Sequence, residues 1–188
     1  HTCIAEVLQS AGYTTARICQ RPLGPDTQGL DLSTCNGNNG TGKKHYGSIT
    51  VARTMTDRAV KFIDENKDKP FFLYVAHWDV HGPHRALKEE VDKYKKKSQG
   101  WDNATNEKPN PVYAAMITAV DESVGRIRAK LKETGLDKNT ILIFSSDNGG
   151  TPVTTMEPLR GAKGALFEGG IRVSTCVTWP GVIKSGSR

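Results

Sequence analysis

Two strand-length apolar runs with a helical stripe between them constrain this chain more than any other feature. Phe71-Phe72-Leu73-Tyr74-Val75-Ala76 and Thr140-Ile141-Leu142-Ile143-Phe144 are near-continuous apolar segments, the form taken by strands covered on both faces. Between them Ile117, Val120, Val124, Ile127 and Leu131 recur at helical spacing, and Gly135 follows as a stop signal. A helix joining two buried strands is the crossover of a parallel sheet. The fold class expected is therefore α/β, a mostly parallel sheet flanked by helices.

Other segments fit around this frame. Ile4, Val7, Leu8 and Ala11 share a helical face closed by Gly12, and a second helix is expected from about Ser48 to Asn66, with Ala52, Met55, Ala59, Val60, Phe62 and Ile63 as its stripe. A further helix is expected from Ala86 to Lys97, and Arg172 to Thr178 is a β-branched strand ended by Trp179-Pro180-Gly181. Residues 20–48 read as a long irregular loop and Ser98 to Pro111 as a polar one.

With 188 residues, 36% of them hydrophobic and 24% charged, the chain has enough apolar surface to bury a core as one domain or part of one. The formal charge of +6 is spread out, and its dense cluster, Lys93, Lys95, Lys96 and Lys97, is interleaved with Glu89, Glu90 and Asp92 as on a solvated helix face. No zinc-finger spacing, heptad array or RNA-binding aromatic motif accompanies it, so nucleic acid is not the expected partner. A basic balance suits anionic small substrates. No apolar run reaches the roughly 20 residues that cross a bilayer, and no signal-peptide pattern opens the chain. Cys3, Cys19, Cys35 and Cys176 contain no C-x-x-C pair, which leaves the redox compartment open. Asn39 and Asn103 begin glycosylation sequons, a pattern short enough to arise by chance.

The chemistry-bearing residues sit where the strands end. Ser145-Ser146-Asp147-Asn148-Gly149-Gly150 places a carboxylate and an amide oxygen side by side at the end of an apolar strand, a position at which α/β sheets bind ligands and a donor set that suits Ca²⁺ or Mg²⁺. His77-Trp78-Asp79-Val80-His81-Gly82-Pro83-His84 follows the earlier strand, with His81 competing against His77 and His84 for any role. Lys163 lies in Leu159-Arg160-Gly161-Ala162-Lys163-Gly164, before the last strand. Singly, each has a plainer explanation: a turn, a hydrogen-bonded loop histidine, an exposed lysine, an arginine paired with an acid. Together, a divalent cation, an imidazole and an ammonium would bind a tetrahedral oxyanion and stabilise charge on its leaving oxygen. That combination points to sulfuryl or phosphoryl transfer.

At these residues the chain resembles the sulfatase family, of the alkaline-phosphatase-like fold. The resemblance runs through Ile4 to Ala16, through Lys69-Pro70-Phe71 to His81-Gly82-Pro83, from Tyr113 through Ser123-Val124-Gly125-Arg126 to Asp147-Asn148-Gly149, and from Leu159 through Glu168-Gly169-Gly170-Ile171-Arg172-Val173 to Trp179-Pro180-Gly181. It implies that Asp147 and Asn148 are calcium ligands, that His81 contacts the sulfate and assists its chemistry, and that Lys163 binds the sulfate oxygens. It further implies a formylglycine nucleophile, a sulfated small molecule or glycan as substrate, and an exported location: periplasmic, secreted or lysosomal.

The chain also departs from the family pattern. No cysteine or serine begins the C/S-x-P/A-x-R motif from which formylglycine is made, and the paired aspartates that complete the metal site are missing. Where the family reads Gly-Lys-Trp-His-Leu-Gly, this chain reads Cys19-Gln20-Arg21-Pro22-Leu23-Gly24, and neither Gln20 nor Pro22 replaces an ammonium or an imidazole. Ser174 stands where proline is common. The expectation is a partial sulfatase catalytic domain over residues 1–188, an internal fragment inactive and weak for calcium by itself. Its intact parent would hydrolyse a sugar sulfate or aryl sulfate. The alternative is a catalytically inactive sulfatase-like protein that binds a sulfated glycan or a protein partner. A phosphoryl-transfer enzyme of the same fold comes third, since it would need a Ser or Thr nucleophile and more metal ligands.

Overall fold

The computed structural model describes residues 1–19, 28–34, 49–99, 110–151 and 153–187. The Gln20 and Pro22 positions, Cys35, both sequons and most of the two expected polar loops lie outside the described residues. Two compact units form: one from the described residues through Gln99 together with Pro111–Thr134, the other from Gly135 onward.

The first unit opens with α1 (Ile4–Ser10), whose start is closed by the Glu6 carboxylate accepting from the Cys3 amide at 2.7 Å. Gly12, at φ +85°, reverses the chain into β1 (Thr14–Cys19). β1 is the middle strand of a parallel sheet ordered β2-β1-β3, with β2 at Leu32–Ser33 and β3 at Phe71–Ala76. Its burial is nearly complete from Thr15 to Cys19. Asp31 ties β2 to β1: its carboxylate accepts from the Thr15 amide at 2.7 Å and from the Gln9 side chain at 2.7 Å. These bonds, with Thr15 the larger, hold its carboxyl below the usual carboxylate range.

α2 (Ile49–Glu65) and α4 (Pro111–Glu133) pack together beside this sheet, and α3 (Lys88–Ser98) packs on α4. The α2 stripe is as expected at Ala52, Met55, Ala59, Phe62 and Ile63, all buried, and Phe62 meets Phe71 of β3 edge to face with centroids 5.7 Å apart. The α4 stripe is as expected at Ile127 and Leu131 and differs in its first half. Ala115, Ala119, Ser123, Ile127 and Leu131 are buried in one i, i+4 row together with Met116, while Ile117 is 50% exposed. Small residues at 115 and 119 let α4 approach α2 closely, and that contact outweighs the larger apolar surface of Ile117.

In the second unit β4 (Leu142–Ser145) pairs antiparallel with β5 (Thr175–Thr178), and the short α5 (Glu168–Ile171) precedes β5. This corrects one expectation: among the described residues β3 pairs with β1 and β4 with β5, not with each other. It corrects another too, for Ile143 and Phe144 are 63% and 45% exposed rather than buried. A two-stranded ribbon covers neither of its own faces. Among the described residues no helix is long and apolar enough to cross a membrane.

Candidate functional site

Antiparallel pairing explains why the Asp147 and Lys163 segments meet at one end of the β4–β5 ribbon. In such a pair the exit of one strand lies beside the entrance of the other, and Ser145 is opposite Thr175, their hydroxyls 2.9 Å apart. Past that point main-chain bonds fix the loops. The Ser146 amide donates to the Ser174 carbonyl at 3.3 Å, the Gly149 amide to the Gly170 carbonyl at 2.9 Å, and the Lys163 amide to the Gly150 carbonyl at 2.9 Å. Asp147 and Asn148 are bracketed by these contacts. Gly149 is buried so closely against the Gly169 carbonyl that a Cβ there would overlap it, which is the reason the strand exit ends in glycine.

Asp147 is exposed and Asn148 half-buried. The Asn148 amide nitrogen donates to the Gly149 carbonyl at 2.9 Å, so its Oδ1 is the atom left to face a ligand. A carboxylate and an amide oxygen on adjacent residues fit a hard cation in kind, though not in number, since calcium takes 6–8 oxygens. Among the described residues no group of three His, Cys, Asp or Glu side chains gathers for a metal. Asp147 and Asn148 thus offer two oxygen donors side by side, fewer than a calcium ion takes.

The Lys163 turn is shaped by Gly161 and Gly164, at φ +85° and +89°, conformations that disfavour a side chain. Lys163 is exposed between them. Among the described residues Arg160 makes no ion pair: its guanidinium lies over the Phe167 ring at 3.8 Å, and its carbonyl accepts from the Gly169 amide at 2.8 Å. The arginine pins the turn to α5.

In the first unit, the segment after β3 sorts its three histidines. His81 is exposed, its ring tilted against Trp78 with centroids 4.5 Å apart, and its amide donates to the Trp78 carbonyl at 2.8 Å. Its Nδ1 is 2.7 Å from the Gly82 carbonyl, which can only accept, so Nδ1 carries the proton and the neutral ring keeps Nε2 as its lone-pair atom. His84 packs edge-on against Tyr113 at 5.6 Å. His77 is turned inward, 3.1 Å from the Ser123 hydroxyl, and burial pulls its pKa down.

Asp79 was not singled out by the sequence reading. Among the described residues neither of its buried carboxylate oxygens has a hydrogen-bond partner in another residue, and burial, offset only in part by its own amide, pushes it up to about 6. An acidic residue two places before His81, in a segment otherwise of large side chains, was the available signal. Cys19 is disulfide-bonded, and Cys3 and Cys176 are free thiols.

The sulfatase family model, described as "Sulfatase", matches residues 1–188. The chain belongs to the sulfatase family. Among curated sulfatases it is 32% identical to mouse arylsulfatase J over 189 residues, covering 99% of this chain and 29% of that protein. It is 31% identical to N-acetylgalactosamine-6-O-sulfatase of Bacteroides thetaiotaomicron over 150 residues, 71% of this chain and 26% of that one. The chain thus spans less than a third of these sulfatases. The crystal structure of Ps i-CgsB aligns with a TM-score of 0.77 at 23% identity, over 98% of this chain and 49% of that one. A second structure of it, in complex with k-i-k-neocarrahexaose, gives 0.73 at 24% identity over 96% and 48%. These structures show the fold, an alkaline-phosphatase-like α/β architecture of which this sulfatase chain covers part.

Proposed function

We propose that this protein, at the length of its relatives, hydrolyses sulfuric esters of a carbohydrate. Lys163 and His81 act on the sulfate, and Asp147 and Asn148 supply two of the oxygens of a calcium ion. The observation that carries this reading is the main-chain bond from Lys163 to Gly150, which sets an exposed ammonium on the turn joined to the Asp147-Asn148 exit. Family membership supports the reaction type.

The roles follow from the groups. The Lys163 ammonium is a compact charge with three donors, suited to sulfate oxygens. The His81 imidazole can exchange a proton through Nε2 with the departing alcohol oxygen. A calcium ion held by Asp147 and Asn148 would supply positive charge against the sulfate. The aldehyde nucleophile implied by the resemblance has no precursor motif in these 188 residues, so no step is assigned to it.

A carbohydrate is favoured over an aryl ester by the oligosaccharide in the Ps i-CgsB complex and by the aminosugar in the name of the Bacteroides relative. The Cys19 disulfide favours an oxidising, exported location. A second reading, glycan binding without turnover, is favoured by Gln20 and Pro22, which stand where the family pattern has a lysine and a histidine. The test incubates the full-length protein with sulfated mono- and oligosaccharides and an aryl sulfate, and measures released inorganic sulfate. Release from a sulfated sugar, lost in Lys163→Ala, supports the proposal. Binding of the sugar with no release puts the second reading first, and neither binding nor release removes both.

A further inference from the structure

Gly150 is where the Asp147-Asn148 exit meets the Lys163 turn, and both of its main-chain polar groups are engaged. Its amide donates to the thioether sulfur of Met156 at 3.1 Å, and its carbonyl accepts from the Lys163 amide at 2.9 Å. Just before it, the Gly149 amide is tied to the Gly170 carbonyl at 2.9 Å.

The sulfur bond matters because of the residue it holds. A glycine backbone turns more freely than any other, so its own conformation does not set where its carbonyl points. No side chain can supply the stiffness: a Cβ on Gly150 would overlap Thr154 Oγ1 and come within 2.8 Å of Met156 Sδ. The position must be glycine, and the freedom that glycine brings must be removed from outside. With its amide on Met156 and its Cα packed against Thr154, the residue has little rotation left, and its carbonyl stays on Lys163.

Met156 is itself held in place. The Thr154 amide and hydroxyl both donate to the Thr151 carbonyl, at 2.9 and 3.0 Å, and the Leu159 amide donates to the Met156 carbonyl at 2.7 Å. The side chain is half-buried, and a thioether has lone pairs but no proton, so it meets the amide only as acceptor. Leucine would fill nearly the same space and leave the Gly150 amide unpaired.

We infer that Met156 is a positioning residue: by accepting from the Gly150 amide, its sulfur fixes the carbonyl on which the Lys163 turn hangs, and with it the place of the Lys163 ammonium relative to the Asp147-Asn148 exit. The bearing on sulfate chemistry rests on the function proposed above; the sulfur bond and its hold on the Lys163 amide do not.

The test reads amide hydrogen exchange at Gly149, Gly150 and Lys163 by NMR on the 188-residue chain. In the wild type all three should be protected; a Gly150 amide that exchanges like an exposed one overturns the proposal without any variant. Met156→Leu should speed exchange about tenfold or more at Gly150 and Lys163, while Gly149, bonded to Gly170, keeps its protection. Selenomethionine keeps an acceptor in the same place and should match the wild type; faster Gly150 exchange there would deny the acceptor role. An unchanged Lys163 rate in Met156→Leu overturns the positioning role, and so does a uniform loss at all three amides, which would mark Met156 as packing alone. In the full-length protein Met156→Leu should lower kcat for sulfate release about tenfold or more, yet cost little further in a Lys163→Ala background, where the group it positions is gone. An equal loss in both backgrounds severs the link to Lys163. A full-length protein that releases no sulfate removes the proposed function, and the exchange rates still decide Met156.

Discussion

The Lys163 amide donates to the Gly150 carbonyl at 2.9 Å, two residues beyond Asn148. The bond is made by main chain, so the turn holds whatever side chain residue 163 carries. Lys163→Ala should therefore leave thermal stability within about 0.5 kcal/mol, as exposed substitutions usually do. Removing a charged donor from developing transition-state charge should lower sulfate release about 100-fold or more in the full-length protein. Wild-type rates, or an equal loss of stability and activity, would show that the ammonium has no part in the reaction.

Gly149 tests the frame of the same site. Its Cα faces the Gly169 carbonyl, and a methyl group there would overlap backbone that cannot rotate away. Gly149→Ala should destabilise the chain by about 2 kcal/mol or more, as strain at a tightly packed position does. Thermal unfolding checks this. Gly125, where an added Cβ would meet nothing within 4 Å among the described residues, is the control: Gly125→Ala in α4 should stabilise by up to about 1 kcal/mol.

How much of this was legible depended on whether the signal was local. β3 occupies Phe71–Ala76, as its apolar run indicates, and Gly12 and Gly135 reverse the chain where the helical stripes end. β1 was missed although it is the middle strand. Two threonines and the buried Arg17 break its apolar character, and only its two neighbours, with α1 and α2 beside it, make such residues internal. Strand pairing was misread for a related reason, since an apolar run says that a strand wants a partner but not which one. On the α4 stripe, counting apolar residues passed over Ser123, which is buried because Thr56 and His77 satisfy it. In the candidate site, Asp147 and Asn148 were visible as a motif at a strand end. The tie from Lys163 to Gly150 is long-range, and no spacing encodes it.

Calcium should bind this chain weakly. Two oxygens from Asp147 and Asn148 leave most of the coordination shell to water, so calorimetry should find a dissociation constant no tighter than the roughly 10⁻⁴–10⁻³ M of the weakest built calcium sites. Asp147→Ala should abolish what binding there is, because the carboxylate carries the charge. Binding at micromolar calcium, or binding unaffected by Asp147→Ala, would place the site elsewhere.

Asp79 gives stability a pH dependence of unusual sign. Its carboxyl, pushed up to about 6 by burial, titrates near 3.8 when unfolded, so between these values the folded chain holds a proton that the unfolded chain has lost. Stability from this group is therefore complete below about pH 4, falls as pH rises, and is gone above about pH 6, a change of about 3 kcal/mol at most. His77 works the other way: its lowered pKa removes stability as pH falls below about 6.5, so the two partly cancel in the wild type. Comparing Asp79→Asn with the wild type isolates the carboxyl, because His77 is common to both. The variant should gain stability relative to the wild type as pH rises from 4 to 6 and hold that gain above it. Urea unfolding at half-unit pH steps would show this, and a difference that does not change with pH would mean that Asp79 is ionised in the folded chain throughout.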